Sequence, residues 1–228
     1  MPDIIFHTPA KPLEKSHQFY TDLGFKVLKH PTLHLIGDEK SIFELNPDHY
    51  ARAGIKVFGS FWQDWIPKLE NDYTILEKND LKIAYSPAGC PIYMSKEQFD
   101  VKTPEGTQSL LGNFMGLSLE CHELKRSMDF WQLLDFKISM GSVEKGWVLL
   151  MHEVGFGVSL MKPLSCPHLF FNPSISYFNG GKNPEIIQKI RDLKIPIAEE
   201  LTVFNKENIV DNIILQDPGG YGFFIFND

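Results

Sequence analysis

The sequence is poor in cysteine and contains no long apolar run. Its three cysteines, Cys90, Cys121 and Cys166, are an odd number at wide spacing, which favours reduced thiols over a disulfide framework. No stretch of about 18 or more apolar residues occurs, so no transmembrane helix is predicted. Residues 1–5 lack the basic and apolar regions of an export signal. We therefore expect a cytoplasmic protein with no membrane partner.

An excess of positive charge is also absent. The chain has 22 Lys and Arg against 29 Asp and Glu, a net charge of -7, which disfavours nucleic acid as a partner. No GxGxxG or phosphate-loop pattern and no GxSxG occurs, so neither a nucleotide cofactor nor a serine hydrolase is indicated. The 228 residues, 43% of them hydrophobic, fit two globular domains of about 110 residues each.

The most informative feature is an internal repeat. Residues 13–27, LEKSHQFYTDLGFKV, align without gaps with residues 124–138, LKRSMDFWQLLDFKI, at an offset of 124 − 13 = 111. Apolar residues near helical spacing, followed by Gly24, predict a helix that stops before a strand; the second copy has Asp135 in place of the glycine. Residues 86–93, SPAGCPIY, also match residues 217–224, DPGGYGFF, each a turn that leads into a final strand.

The same order of a strand, a helix and further strands starts four times along the chain. The predicted elements are strand 4–8, helix 13–23 and strands 25–28, 32–36 and 41–45; then strand 55–58, helix 61–70 and strands 73–76, 82–85 and 91–95; then strand 115–120 with helix 124–134, and strand 175–178 with helix 184–193. Pro184 suits the first helical position. The mostly polar stretch 102–113 predicts an interdomain linker, which gives an N-terminal domain at 1–104 and a C-terminal domain at 113–228.

This fourfold unit, with LxxSxxFYxxLGF on the first helix and DPxGxxxF on the last strand, resembles the vicinal oxygen chelate superfamily. That family includes glyoxalase I, bleomycin and fosfomycin resistance proteins and type I extradiol dioxygenases. The resemblance covers nearly the whole chain and implies an α+β fold of four βαβββ modules, paired into two curved-sheet domains. It further implies a small-molecule ligand in a cup. In the family's enzymes a divalent metal (Zn, Ni, Fe or Mn) is held there by His or Glu on the first and last strands.

Two residues of the first half match these metal positions. Strand alternation places Phe43 and Leu45 on the helix-packed face, so that Glu44 faces the cup; it matches the family's carboxylate and is also the candidate catalytic group. His7 is the nearest match to the first-strand histidine and shares its face with Ile5. The two side chains are interpreted either as metal or substrate contacts or as a hydrogen-bonded polar pair in a partly wet cavity.

The other matching positions carry no metal ligand. They are Ile55 or Gly54 and Tyr93 in the first half, and Gly116, Leu160, Ser174 and Phe224 in the second half. The facial triad of two histidines and a glutamate is therefore missing, which counts against a dioxygenase. Three aromatic residues on terminal strands, Tyr93, Phe224 and Phe226, are candidates for lining apolar cups, with ordinary core packing as the alternative.

Two functions follow as hypotheses. The first is a metal-free binding protein whose apolar cup holds an aromatic or amphipathic small molecule. The alternative is a divalent-metal-dependent lyase or isomerase around His7 and Glu44, with the metal as Lewis acid. Cys166 and His168 form a weaker candidate, a nucleophile pair separated by Pro167 and lacking a visible orienting acid. A third hypothesis makes the second domain chiefly structural, in a monomer whose halves pair like a dimer or in a homodimer.

Overall fold

The structure, a computed structural model, describes residues 3–227. Residues 1, 2 and 228, the outermost positions of the two predicted domains, lie outside the described part. Within it the chain forms sixteen strands and four α-helices. No helix among the described residues is both long and apolar enough to cross a membrane.

The elements repeat in the order strand, helix and three strands. The first module contains β1 (Asp3–Pro9), α1 (Leu13–Asp22), β2 (Lys26–Leu28), β3 (Leu35–Gly37) and β4 (Ile42–Asn46). The second contains β5 (Gly54–Phe58), α2 (Ile66–Leu69), β6 (Ile75–Lys78), β7 (Leu81–Tyr85) and β8 (Pro91–Ser95). The third contains β9 (Phe114–Glu120), α3 (Leu124–Leu133), β10 (Lys137–Ser142), β11 (Trp147–Met151) and β12 (Gly157–Met161). The fourth contains β13 (Ser174–Phe178), α4 (Asn183–Asp192), β14 (Glu199–Leu201), β15 (Asn212–Gln216) and β16 (Gly222–Phe226).

Each pair of modules builds one eight-stranded mixed sheet. The strand orders are β2-β3-β4-β1-β5-β8-β7-β6 and β10-β11-β12-β9-β13-β16-β15-β14. In each sheet the first and fourth strands of a module pair parallel, and the first strands of the two modules pair antiparallel. The predicted fold class is confirmed: four βαβββ modules form two curved-sheet, glyoxalase-like halves.

The helix ends in the two repeats are equivalent although their residues differ. Gly24, after α1, has φ +91°, and Asp135, after α3, has φ +64°. Aspartate is among the few residues that tolerate this left-handed region. The Asp135 carboxylate also binds two residues of the first half. Its Oδ2 accepts a hydrogen bond from Trp65 Nε1 at 2.7 Å, and its Oδ1 accepts one from Lys68 Nζ at 2.9 Å.

The helix predicted at 61–70 is broken in the structure. A 3-10 turn, Phe61–Asp64, is followed by the single turn of α2. Pro67 lies in the first turn of α2, where proline is tolerated because the first N–H groups of a helix have no partner within it. A continuous helix through this position would set its ring against the carbonyl four residues earlier.

The helix-packed faces of the two sheets share one core. Phe6 of β1 illustrates this: its ring centroid lies 4.9 Å from that of Phe43 in its own sheet, and 5.4 Å and 5.9 Å from those of Phe156 and Tyr221 in the second half. The fully buried cluster of apolar residues is continuous across both halves. The opposite faces of the sheets, which are the cups, therefore lie outside this shared core.

A turn of the second half inserts into the first. Asp217 is fully buried, and its Oδ2 accepts hydrogen bonds from Thr8 Oγ1 at 2.7 Å and from Tyr20 OH at 2.8 Å. Its Oδ1 accepts one from the Tyr221 N–H at 2.8 Å, and the Tyr221 hydroxyl donates to the carbonyl of Gly54. The chain also passes so close here that a Cβ on Gly219 would lie 2.1 Å from Thr8 Oγ1.

The predicted linker is packed against the first half. The Leu110 N–H donates to Leu23 O at 2.8 Å, and Leu111 is fully buried in the shared core. Just before the predicted linker, Phe99 stacks on Phe58 with centroids 4.5 Å apart. The domain boundaries at 104 and 113 stay a prediction.

Candidate functional site

Four polar side chains meet on the cup face of the first sheet. Strand register pairs His7 of β1 with Glu44 of β4, and Lys56 of β5 with Tyr93 of β8. All four are buried, with relative exposures between 2% and 6%. Phe43 and Leu45 lie in the shared core as predicted, so alternation along β4 does turn Glu44 into the cup.

The imidazole of His7 is held as a neutral ring. Nδ1 lies 3.0 Å from the carbonyl of Arg52, which can only accept, so Nδ1 carries the proton. Nε2 then carries a lone pair and accepts a hydrogen bond from Asn46 Nδ2 at 3.0 Å. The amide orientation of Asn46 is fixed because its Oδ1 accepts the Asp48 N–H at 2.8 Å. Burial lowers the pKa of His7, against the opposing charge of Glu44.

The carboxylate of Glu44 has its own cation. Lys56 Nζ lies 2.9 Å from Glu44 Oε2, with side-chain exposures of 6% and 5%. Oε1 lies 3.5 Å from Asn46 Nδ2, at the outer limit of a hydrogen bond. Oε2 has no further hydrogen-bond partner among the described residues. The contact is therefore a buried ion pair in which Lys56 supplies the charge that Glu44 requires.

Apolar and aromatic groups surround the polar side chains of the first cup. The Tyr93 ring lies on His7 with centroids 4.1 Å apart, and its hydroxyl accepts the Arg52 N–H at 3.0 Å. Burial raises the pKa of this tyrosine to about 12. A buried cluster that contains Ile5, Ile42, Phe58 and Phe99 covers the neighbouring part of the same face. The ligand-binding role predicted for Tyr93 thus falls on a side chain already packed against His7.

The sequence interpretation missed Lys56. It assigned the β5 position of the cup to Ile55 or Gly54, but Ile55 is in the shared core and Lys56 pairs with Tyr93. The signal was present, because Ile55 and Val57 are the apolar members of the alternating run IKVF. That alternation turns the intervening lysine to the opposite face.

These surroundings fit a divalent metal poorly. The lone pair of His7 and the charge of Glu44, the two predicted contributions, are engaged by Asn46 and Lys56. Among residues 3–227 no group of three or more His, Cys, Asp or Glu side chains is placed to hold a metal ion. The metal and catalytic roles of the predicted pair stay a prediction.

The cup of the second sheet is open and different in character. The residues that correspond to the four polar groups of the first cup are Ser118, Ser159, Ser176 and Phe224, as shown by the pairs Ser159↔Ser118 and Ser176↔Phe224. They border a cavity of about 390 Å³. Its other walls are mainly Met115, Met140, Trp147, Leu149, Met161, His168, Phe178 and Phe226.

Strand register moves three of the matching second-half positions, Leu160 by one residue and Gly116 and Ser174 by two residues along the same face. Leu160 is fully buried in the shared core, so Ser159 and not Leu160 faces the cup. Ser174 donates to the carbonyl of Phe171, and Ser176 faces the cavity instead. Gly116 does border the cavity, but Ser118 is the partner of Ser159. Only the one-residue error at Leu160 exchanges the two faces of the sheet.

A pair of hydroxyls lies on the β9 and β13 side of this cavity. Ser118 Oγ and Ser176 Oγ are 2.8 Å apart, and both are buried. Against them stands an aromatic wall, where the His168 ring lies 5.0 Å from Phe224 and 5.3 Å from Phe226 between centroids. Both phenylalanines predicted to line a cup therefore line this one.

The predicted nucleophile pair of Cys166 and His168 is not assembled. The Cys166 thiol donates to Met161 Sδ at 3.5 Å, whereas His168 Nδ1 donates to Leu169 O at 2.8 Å. Burial, reinforced by the charge of Glu120, raises the pKa of Cys166. A thiol with a raised pKa is a weak nucleophile at neutral pH.

The paired βαβββ modules, with a cup on the face opposite the helices, give this chain the fold that is known from glyoxalases and extradiol dioxygenases. Solved structures of the latter share the fold. Homoprotocatechuate 2,3-dioxygenase from Brevibacterium fuscum, as an H200E variant in complex with HPCA, aligns over 100% of this chain and 72% of its own with a TM-score of 0.60 and 15% identity. LapB, a 2,3-dioxygenase from Pseudomonas sp. KL28, aligns over 98% and 91% at 0.58 and 12%. BphC, a halotolerant catechol dioxygenase, aligns over 98% and 87% at 0.53 and 12%.

The similarity to these proteins is one of fold and not of sequence. No family model matches the chain, and no curated protein matches it. At 12–15% identity the structural neighbours establish the fold alone, and one fold of this kind carries several chemistries. What distinguishes this chain chemically is the lining of its two cups.

Proposed function

We propose that this protein binds a small, uncharged and largely aromatic molecule in the cup of the second sheet, without a metal ion. The observation that carries the proposal is the cavity of about 390 Å³ with apolar walls and a pair of serine hydroxyls. Small-molecule sites are typically concave, of roughly 300–1,000 Å³, and mostly apolar with a few placed polar groups.

The lining argues for an uncharged ligand. No Asp, Glu, Lys or Arg is among the described residues that border the cavity. An ion that left water for this site would have no carboxylate, ammonium or guanidinium group of the lining to pair with, and its burial would cost several kcal/mol. Methionine and aromatic side chains instead provide polarizable surfaces on which an aromatic ring packs well.

The serines argue for a ligand with a hydroxyl or carbonyl group. Ser118 and Ser176 use one donor and one acceptor between them, so the pair retains a donor and further lone pairs. A polar ligand atom on this side of the cavity can be satisfied by that remaining donor. A purely hydrocarbon ligand would leave it unused.

A fluorescence titration with 2-naphthol tests this proposal. Trp147, which borders the cavity, should report saturable binding that is unchanged by EDTA. Ser159→Phe fills the cavity and should weaken binding about tenfold or more. Ser139→Phe, at an exposed position on β10 outside the cavity, is the matched control and should bind normally.

The Ser118→Ala, Ser176→Ala double variant should reduce the ratio of affinities for 2-naphthol and naphthalene, because the hydroxyl of 2-naphthol loses its two serine partners. Equal binding by the Ser159→Phe and Ser139→Phe variants would contradict a site in the second cup. Loss of binding in EDTA would contradict a metal-free site.

The alternative function, a metal-dependent lyase or isomerase centred on His7 and Glu44, is favoured by no contact in the first cup. The shared core of the two halves supports a monomer with dimer-like pairing over a homodimer that would need a second copy to complete it. We propose the former, together with a cytoplasmic location and no nucleic-acid or membrane partner.

A further inference from the structure

We infer that the ammonium group of Lys56 is the built-in cation of the first cup, and that it closes this cup to divalent metal ions. The inference concerns the first sheet and is independent of ligand binding in the second. It rests on the contacts of three neighbouring side chains, Lys56, Glu44 and His7.

The first step is charge compensation. Glu44 is 3% exposed and Lys56 4% exposed, and their charged atoms are 2.9 Å apart. A buried carboxylate without a cation is strongly unfavourable, so one partner cannot be removed without consequence. The charges within the cup sum to zero, because the neighbouring His7 is neutral.

The second step concerns the remaining donor atoms. The hydrogen bonds of His7 point both ring nitrogens at fixed partners, with Nε2 taken by Asn46. The Asn46 amide cannot simply turn over, since its Oδ1 is held by the Asp48 N–H. The hydroxyl of Tyr93 accepts from the Arg52 N–H and donates to the Arg52 carbonyl at 3.3 Å. Among the described residues of this cup, the donor atoms of His7 and Tyr93 are therefore engaged in hydrogen bonds and the Glu44 carboxylate in the ion pair with Lys56.

The Lys56 ammonium group also keeps a divalent ion away from Glu44. A divalent ion at Glu44 would have to displace the ammonium or share the carboxylate with it, at a distance where like charges repel strongly in a poorly hydrated site. Removal of Lys56 would leave the buried carboxylate of Glu44 without its cation and vacate the volume of the lysine side chain beside it. Lys56→Ala should therefore convert a closed cup into a weak metal site.

A titration with Co²⁺ on the full chain tests this inference, read by visible absorption and by Tm. The wild type should give no Co²⁺ absorption band from this cup and no shift in Tm. The Lys56→Ala variant should lose on the order of 10 °C in Tm, bind one Co²⁺, and recover part of that loss. Glu44→Gln added to Lys56→Ala should abolish the Co²⁺ band.

Lys40→Ala is the matched control, because Lys40 lies 3.9 Å from Glu39 in an ion pair whose lysine is 62% exposed. It should change neither Tm nor Co²⁺ binding. If Lys56→Ala does not fold, the double variant Lys56→Met, Glu44→Leu, which removes both charges together, should fold with a Tm within a few degrees of the wild type.

Four results would overturn the inference. The first is one Co²⁺ bound by the wild type and lost in Glu44→Gln, and the second is a Tm of Lys56→Ala equal to that of the wild type. The third is a folded Lys56→Ala that binds no Co²⁺. The fourth is failure of both Lys56→Ala and the charge-free double variant to fold.

Discussion

Replacement of Asp217 by alanine should destabilise the whole protein, because this carboxylate joins the two halves. Its oxygens accept hydrogen bonds from the hydroxyls of Thr8 and Tyr20 in the first half, and from the Tyr221 N–H in its own turn. All three partners are donors in a buried region, so alanine would leave three donors without an acceptor.

The magnitude follows from these three donors. An unsatisfied buried donor costs about 1–3 kcal/mol, which gives a gross loss of roughly 3–9 kcal/mol. Part of this is offset because burial of the carboxylate is itself unfavourable, as the raised pKa of Asp217 shows. We expect a net loss of about 3 kcal/mol, or roughly 6–12 °C in Tm for a chain of this length.

The pH dependence of the same group distinguishes the carboxylate from mere packing. Burial raises the pKa of Asp217 above its ordinary value, so the folded state binds the proton more tightly than the unfolded state. The stability from this group is full below the unfolded pKa and is lost as the pH rises through the folded pKa. The advantage of the wild type over Asp217→Asn should therefore shrink as the pH rises from acid to neutral.

Urea unfolding of the wild type, Asp217→Ala and Asp217→Asn, followed by far-UV circular dichroism and tryptophan fluorescence, measures these differences. The asparagine variant should lose less than the alanine variant, because the two hydroxyls can rotate to accept from its amide. A loss below 1 kcal/mol for alanine, or a gap to asparagine that widens toward neutral pH, would refute this reasoning.

Two further predictions concern the cups. Leu160→Ala should cost about 2–5 kcal/mol by thermal unfolding because Leu160 is fully buried, whereas Ser159→Ala should cost under about 1 kcal/mol; equal losses would contradict the strand register. Burial lowers the pKa of His7 below the ordinary value of 6.5. The contribution of His7 to stability is therefore full above the ordinary pKa and is lost as the pH falls through the lowered pKa of the folded state. His7→Gln should lessen, but not remove, the loss of stability below pH 6.5, since the pKa of His152 is shifted in the same direction; an unchanged pH profile would contradict a buried neutral imidazole.

The repeat made most of the fold predictable. The match between 13–27 and 124–138 fixed two helices, and the structure places them at Leu13–Asp22 and Leu124–Leu133. Such a match reports buried positions that both copies share, and those positions depend on regular periodicity. Pro67 was the local exception, where one residue without an N–H divides a helix that periodicity alone would continue.

The site was predictable only in part, because a cup depends on strand phase. The assignment of Glu44 succeeded since Phe43 and Leu45 are clear apolar neighbours. The assignments of Leu160 and Ile55 failed by one residue, which is enough to exchange core and cup. The role of Lys56 also depends on a partner from another module, and no local pattern reveals such a contact.

The inserted turn that contains Asp217 makes the two copies depend on each other. In the corresponding turn of the first half Ser86 Oγ accepts the Cys90 N–H at 3.1 Å, and the Ala88 carbonyl accepts from Asn172 Nδ2 of the second half at 3.0 Å. In the second half it is the side chains of Asp217 and Tyr221 that reach across to the other copy. A chain shortened to either copy would expose the aromatic surface now hidden between them, and the first copy alone would leave Thr8 without the Asp217 carboxylate. The first copy, whose cup holds the Lys56–Glu44 ion pair, thus also anchors the inserted turn of the copy that carries the open cavity.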